Sequence, residues 1–332
     1  MIDVPSRYFV SIIIPIKNPG LLFQRVLDAV LSQTTDFEYE IIIIDSGSTD
    51  NSISLIESRI EKNIRLVQID PKEYGHGKTR NYGVSLSNAK YCVLLTHDAT
   101  PYNENWLSEM VLIAESDEQI AGVFGRHVAY ENANYFTKRE LKLHFDGFVG
   151  NEIVELDDRV RYESELGYKQ FLHFFSDNNA LIRRSVWENY PYPDVSFAED
   201  QLWAKSIIEA GYKKAYSDNS IVYHSHDYSL IERLQRSFDE SNAFNRLFGY
   251  DIMPRISTML KVWLGVTMSE LKDAVRSKQW EKNKIKMLKQ PIYNFMKFFG
   301  MYLGVHNSFL SISMLEKLSY DKKLYKGLRK SA

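Results

Sequence analysis

The sequence predicts an α/β fold built on a mostly parallel, Rossmann-like sheet between helices, followed by a C-terminal helical extension. Two observations carry this. Strand and helix signals alternate over the first hundred residues, and four consecutive isoleucines, Ile41–Ile44, run into a carboxylate, Asp45. An unbroken aliphatic run suits a strand covered on both faces, and strand–helix repetition is the pattern of parallel sheets. Phe9–Pro15 reads as the first strand. Leu21–Gln33 follows as a helix, with Leu22, Val26, Ala29 and Val30 at helical spacing. After the Ile41–Ile44 strand, Asp50 or Asn51 is expected to cap a helix reaching about Glu61. Ile64–Ile69 is a third strand, Lys78–Ser87 a helix and Tyr91–Thr96 a fourth strand. Val123–Tyr130, Ala180–Ile182 and Ser220–His226 read as later strands, and Asp200–Ala210 as a helix closed by Gly211. Residues 131–175 mix aromatic and charged side chains without a clear period. Beyond Leu230 the pattern is helical, with Met259, Val262, Trp263 and Val266 on one face and Lys261 off it. The expected division is therefore 1–230 and 231–332.

Composition narrows the class. The chain has 332 residues, 44% hydrophobic and 25% charged, which is ordinary for one large globular domain or two smaller ones. Its one cysteine, Cys92, lies in an apolar run, so no internal disulfide can form; a buried structural thiol and a reducing cytoplasm are expected. The N-terminus lacks the basic start and apolar core of a signal peptide. No uncharged stretch reaches the roughly 20 residues that span a bilayer. The net charge of −2 hides an asymmetry: residues 255–332 carry 16 Lys+Arg against 5 Asp+Glu, a balance of +11, which leaves −13 for residues 1–254. A basic tail on an acidic body points to a polyanionic partner, a membrane surface or nucleic acid. No strand is followed by Gly-x-Gly-x-x-Gly, which disfavours a dehydrogenase-type dinucleotide site.

Five groups of residues could carry chemistry. Asp45 stands at the carboxyl end of a strand, where open α/β sheets bind ligands. In Tyr74–Asn81 two glycines permit close backbone approach at a helix start, and Lys78 and Arg80 supply donors for phosphate; a glycine turn with solvated charges is the bland reading. In Thr96-His97-Asp98-Ala99 a second strand ends at a carboxylate, a ligand for a hard divalent ion bound to phosphate or simply a turn residue. Glu199-Asp200, before an amphipathic helix, supplies a general base or only favourable N-terminal helix charge. Tyr223-His224-Ser225-His226 would place both histidines on one face of an extended chain, as metal ligands or phosphate donors.

Taken in order, Ser11–Asn18, the Asp45 strand, Gly77-x-x-Arg80-Asn81, His97-Asp98-Ala99 and Glu199-Asp200 resemble inverting family 2 glycosyltransferases of the GT-A fold, over about residues 8–230. The His76–Asn81 tract, with His97-Asp98-Ala99 and Ala198–Gln201, looks most like bacterial rhamnosyltransferases of O-antigen or cell-wall polysaccharide synthesis. The resemblance implies that Asp45 accepts the imide proton of uracil or thymine. Pro15, Lys17 and Arg80 would line the nucleotide site, joined by Lys78 and His97. It implies Asp98 as the metal carboxylate with His224 or His226, Asp200 as catalytic base, and Glu199 beside it. The family's Asp-x-Asp is here His97-Asp98-Ala99, a departure that loosens the expected metal site.

The expected reaction moves a sugar, L-rhamnose from dTDP-rhamnose, to a hydroxyl of a growing surface polysaccharide. Asp200 would take the acceptor proton on the face opposite the leaving diphosphate, with inversion. Mg2+ or Mn2+ held by Asp98 would stabilise the diphosphate. Trp203 and Asn179 are the expected acceptor contacts. Expected partners are the nucleotide-diphosphate sugar, a lipid-linked oligosaccharide, a membrane surface under the basic tail and a second copy of the chain, but not nucleic acid. The expected location is the cytoplasm, peripheral to the inner face of the cell membrane. The competing readings are a nucleotidyltransferase making an activated sugar and a non-catalytic carbohydrate-binding protein.

Overall fold

In the computed structural model, which describes residues 7–59, 63–282 and 284–320, the chain separates into two compact units. The first takes in the described residues within Met1–Ala133 and Thr137–Ser225, the second those within Asn134–Phe136 and His226–Ala332.

The first unit is organised by one nine-stranded sheet. Its strands are β1 (Val10–Ile16), β2 (Tyr39–Asp45), β3 (Ile64–Gln68), β4 (Tyr91–Leu95), β5 (Thr100–Pro101), β6 (Ile120–Val128), β7 (Ile153–Val154), β8 (Asn179–Arg183) and β9 (Lys213–Tyr223). The order is β3-β2-β1-β4-β8-β6-β9-β5, with β7 on β9. β3, β2, β1 and β4 run parallel; β8 enters antiparallel between β4 and β6, and β9 runs parallel to β6. The isoleucine run is sandwiched as its pattern requires. Ile41 and Ile43 join the core on one face, with Ile12, Ile14 and the Leu22–Leu31 helix; Ile42 and Ile44 join the other, with Ile13 and Val84.

Element types follow the sequence, and their ends shift. The helix expected to reach Glu61 spans Ser52–Glu57, and residues 60–62 lie outside the described residues. Asp50 supports the start of that helix by accepting the Ser52 amide. The Lys78–Ser87 helix begins earlier, at His76, and ends at Ser85. The last strand is displaced from the expected Ser220–His226: β9 spans Lys213–Tyr223, and His224 and His226 lie beyond its end. In 131–175, the stretch without a period, short helices Arg159–Ser164 and Leu166–His173 surround a cluster of Phe145, Phe148, Phe171 and Phe174.

One topological fact positions the site. Because β8 is antiparallel, its first residue sits at the rim where β4 ends, with Asn179 opposite Leu95. Residues just before β8 therefore share that rim with the loops after β1, β2 and β4.

The second unit is helical. Leu230–Phe248 begins with a capping box, Ser229 with Glu232, and ends at Gly249 with φ 70°. Ile256–Arg276 and Lys284–Val305 pack antiparallel across a buried polar seam. There Glu270 accepts from Gln290 at 2.8 Å and from Asn294 at 2.7 Å, and Asn294 also donates to Thr267. A methyl group on Gly300 would meet the Leu234 carbonyl at 2.3 Å, so this glycine permits a close helix crossing. No described helix is long and apolar enough to cross a membrane.

Candidate active site

The loops after β1 and β2 are laced together. Asn18, at φ 46°, accepts the Thr49 amide at 2.7 Å and donates its own amide to Ser48 Oγ at 2.8 Å. Gly47 has φ 89°, and a Cβ there would meet Pro71 at 2.7 Å, so only glycine fits. Asp45 is fully buried; its carboxylate accepts the amides of Ser48 at 3.0 Å and Gly47 at 3.2 Å. Asp45, expected to meet a base, here also holds the turn that follows β2. Pro15 is half-buried and Lys17 exposed on the adjoining loop.

The His76–Ser85 helix packs closely on the loop that precedes the Glu199–Glu209 helix. A Cβ on Gly77 would meet the Pro193 carbonyl at 2.3 Å. Asn81 clasps the same loop, donating to the Tyr192 carbonyl at 2.8 Å and accepting the Tyr192 amide at 2.9 Å. Lys78 faces solvent, whereas Arg80 is only 6% exposed. Arg80, expected at the nucleotide site, is engaged by carboxylates and is not an open donor here. Its Nη1 donates to Glu199 Oε1 at 2.9 Å and to the His76 carbonyl at 3.1 Å, and its Nε pairs with Asp177 Oδ2 at 3.2 Å.

Asp177 was missed by the sequence reading. It is 2% exposed, accepts Tyr192 Oη at 2.8 Å and points its main-chain N–H at Asp200 Oδ2, 3.4 Å away. Glu199 and Asp200 form the first turn of the Glu199–Glu209 helix, which Ala198 enters at φ 58°. That left-handed conformation is uncommon for a non-glycine residue and aims the turn at this cluster. Three carboxylates thus surround one guanidinium. Burial works against the charge on Arg80, but Asp177 and then Glu199 raise its affinity for its proton above the ordinary value. Burial, chiefly, pushes Asp177 up to about 7. Asp200 is held well above the carboxylate range by burial, then by the charges of Glu199 and Asp177. A strongly shifted carboxyl in such a cluster is a candidate proton acceptor.

At the ends of β4 and β9, Asp98 Oδ1 lies 3.7 Å from His224 Nε2, and both are partly buried. A carboxylate and an imidazole that converge at the sheet rim suit a divalent ion that completes its shell from phosphate and water. Tyr130 Oη donates to the Asp98 carbonyl at 2.9 Å and steadies this turn. His97 is half-buried beside it, and His226 follows at the start of the second unit.

The two expected acceptor contacts differ from the expectation in being core residues. Trp203 is fully buried, stacks on Tyr192 with centroids 5.4 Å apart and donates Nε1 to the Tyr190 carbonyl. Asn179 is also fully buried; it accepts Trp106 Nε1 at 2.8 Å and donates to the Ser220 carbonyl at 2.8 Å. Neither side chain is exposed at the surface of the site. The helical period of Trp203 on the Glu199–Glu209 helix, beside Ile207 and Ile208, marks the apolar face and could have revealed this.

Comparison with known proteins agrees with this architecture. Residues 11–190 match the family described as Glycosyl transferase family 2. The chain is 36% identical over 233 residues to the O-antigen chain rhamnosyltransferase RfbN of Salmonella typhimurium, covering 69% of this chain and 70% of that one. It is 34% identical over 235 residues to WbaN of Salmonella anatum, an O-antigen chain rhamnosyltransferase, with the same coverage. Among solved structures, the mannosyltransferase PcManGT of Pyrobaculum calidifontis, in complex with GDP-Man and Mn2+, superposes with TM-score 0.58 at 16% identity, covering 96% of this chain and 88% of that one. S. aureus TarS 1-349 with UDP-GlcNAc superposes with TM-score 0.51 at 14% identity, over 88% and 91%. The fold is that of GT-A glycosyltransferases. The chain belongs to glycosyl transferase family 2 and is a glycosyltransferase. Neither competing reading, nucleotidyltransferase or non-catalytic binder, finds support among these relatives.

Proposed function

We propose that the protein is an inverting rhamnosyltransferase that moves L-rhamnose from dTDP-rhamnose to a hydroxyl of a lipid-linked bacterial surface polysaccharide. The observation that carries the chemistry is the Asp200 carboxylate, held basic beside Glu199 and Asp177 at the sheet rim. The identity to two O-antigen rhamnosyltransferases supports the choice of sugar. Asp200 takes the acceptor proton as the hydroxyl attacks the anomeric carbon, while the diphosphate leaves from the opposite face. Pro15, Lys17, Lys78 and His97 line the nucleotide end, where Lys17 and Lys78 are exposed cations. Asp98, with His224, would hold Mg2+ or Mn2+, which when bound stabilises charge developing on the leaving diphosphate. Mn2+ accompanies the nucleotide sugar in the PcManGT structure, which supports this assignment.

The lipid linkage has its own support in the second unit. Ile256, Leu260, Leu264 and Met268 recur every fourth residue on one helix and are 39–54% exposed; Ile285, Leu288 and Ile292 on its antiparallel neighbour are 55–70% exposed. The Lys284–Val305 helix carries four lysines and no acidic residue. Two exposed apolar stripes flanked by lysines fit the headgroup region of an anionic bilayer, without crossing it. Flotation with phosphatidylglycerol vesicles tests this: Leu264→Glu with Leu288→Glu abolishes it, and dimer dissociation by that pair without any flotation of the parent identifies a subunit contact instead.

The test of the base is Asp200→Asn. Transfer, measured as dTDP release from dTDP-rhamnose with a membrane lipid extract as acceptor, falls at least 100-fold. Titration calorimetry with dTDP-rhamnose and Mn2+ shows retained binding. Turnover within a few-fold of the parent removes Asp200 from the base role.

A further inference from the structure

We propose that Asp177 is a positioning residue for the base: together with Glu199 it claims Arg80, and so leaves Asp200 without a counter-cation and free to accept the acceptor proton. The proposal rests on the reading of Asp200 as the base and names what sets that base up.

The argument is geometric. Arg80 reaches two of the three carboxylates. Its Nε pairs with Asp177 at 3.2 Å and its Nη1 with Glu199 at 2.9 Å, and the His76 carbonyl takes a further Nη1 contact. Among the described residues no Lys, Arg or His pairs with Asp200. The Asp200 carboxylate instead accepts only main-chain amides, from Gln201 at 2.8 Å and, more weakly, from Asp177 at 3.4 Å. Tyr192 Oη fixes Asp177 from the other side at 2.8 Å, and Asn81 holds Tyr192 in place at both its amide and its carbonyl. The buried network therefore has a direction: Asn81 orients Tyr192, Tyr192 orients Asp177, and Asp177 holds Arg80 away from Asp200.

A carboxylate paired with a guanidinium is a poor base, because the pair stabilises its charged form. One that faces two other carboxylates with its cation occupied elsewhere is a stronger base. Asp177 does both things at once. The groups that face Asp200 are Glu199 on its own helix, Arg80 on the His76–Ser85 helix, Tyr192 on the preceding loop and Asp177 before β8, while His76 faces Glu199 with Nδ1 4.0 Å from Oε1. Burial and the charges of Glu199 and Asp177 raise the Asp200 carboxyl, and only Arg80 and the Gln201 amide oppose them.

Asp177→Asn keeps the shape and removes the charge, so Arg80 becomes free to turn to Asp200. Carboxyl-13C NMR titration reads the result, with Asp200 assigned by its loss in Asp200→Asn. The Asp200 midpoint falls by about one pH unit or more in Asp177→Asn, the size of effect expected when a like charge is lost and a cation is gained. The acid limb of dTDP release from dTDP-rhamnose moves down with it, and the plateau rate falls at least 10-fold. Asp177→Glu restores the charge: it returns the midpoint to within about 0.3 unit of the parent even where its rate is reduced, and it carries the test alone should the asparagine variant not fold. An Asp200 midpoint that stays put in Asp177→Asn, or one that Asp177→Glu displaces by a unit, overturns the proposal. If the midpoint moves but Asp200→Asn remains active, the electrostatic role of Asp177 stands and the base reading is the one that fails.

Discussion

Asp177 puts a measurable cost on stability, and the cost depends on pH. Burial raises its carboxyl from the ordinary value of 3.8 to about 7. The native state therefore binds this proton more tightly than the unfolded chain. Stability contributed at this site is highest below the unfolded value and falls as pH rises from about 4 to 7. At roughly 1.36 kcal/mol per pH unit, the full displacement is worth about 4 kcal/mol above pH 8, of which about 2.7 kcal/mol develops between pH 5 and pH 8. Asp177→Asn removes the titrating group. Any accompanying fall in the Asp200 midpoint acts in the same direction. Relative to the parent, the variant should gain about 2–3 kcal/mol between pH 5 and pH 8. Urea unfolding followed by tryptophan fluorescence at pH 5, 6.5 and 8 measures this, because Trp106, Trp187 and Trp203 all lie in the first unit. Using the difference between two proteins cancels the histidines common to both. A stability difference constant within about 0.5 kcal/mol over this range would mean that Asp177 titrates like an ordinary carboxyl, and the reasoning fails.

Three further outcomes follow from the geometry. Trp203→Ala leaves a large hole under the Glu199–Glu209 helix and should lower stability by about 3–5 kcal/mol, whereas Trp203→Phe should leave the KM for acceptor unchanged; a changed acceptor KM with intact stability would restore Trp203 to the sugar site. Gly77→Ala forces a methyl against the Pro193 carbonyl and should cost about 1–3 kcal/mol by thermal unfolding, with neutrality showing that the Tyr192 loop yields freely. Asp98→Ala should weaken Mn2+ binding at least 10-fold by calorimetry in the presence of dTDP, as expected when a first carboxylate ligand is lost; unchanged affinity would move the metal elsewhere.

The fold was legible because the features that determine it are local. Four isoleucines followed by Asp45 require burial on both faces and then a turn, and the structure supplies both. What local pattern cannot convey is which strand lies beside which. The antiparallel entry of β8 is invisible in Ala180–Ile182, yet it brings Asp177 to the rim where β4 ends. For the same reason Asn179 and Trp203 passed for acceptor contacts: each is polar or aromatic and close in sequence to a carboxylate, and only the packed sheet shows that their polar atoms are consumed internally.

Arg80 makes the point about charge. A sequence reports that a cation exists, but not what neutralises it. Read beside two glycines, Arg80 looked like a phosphate donor; in the structure two carboxylates have already claimed it. Such a buried cluster is a weak source of stability, since taking charges out of water offsets much of their attraction. It also holds more carboxylates than cations, and Asp177 and Asp200 keep a proton more readily than ordinary carboxyls. A structural ion pair would be balanced. An unbalanced one at the rim where β4 ends, with Asp200 in the first turn of a helix that Ala198 enters at φ 58°, fits the proposed uptake of a proton. That imbalance, rather than the presence of any single carboxylate, is the physical basis for assigning base chemistry to this rim.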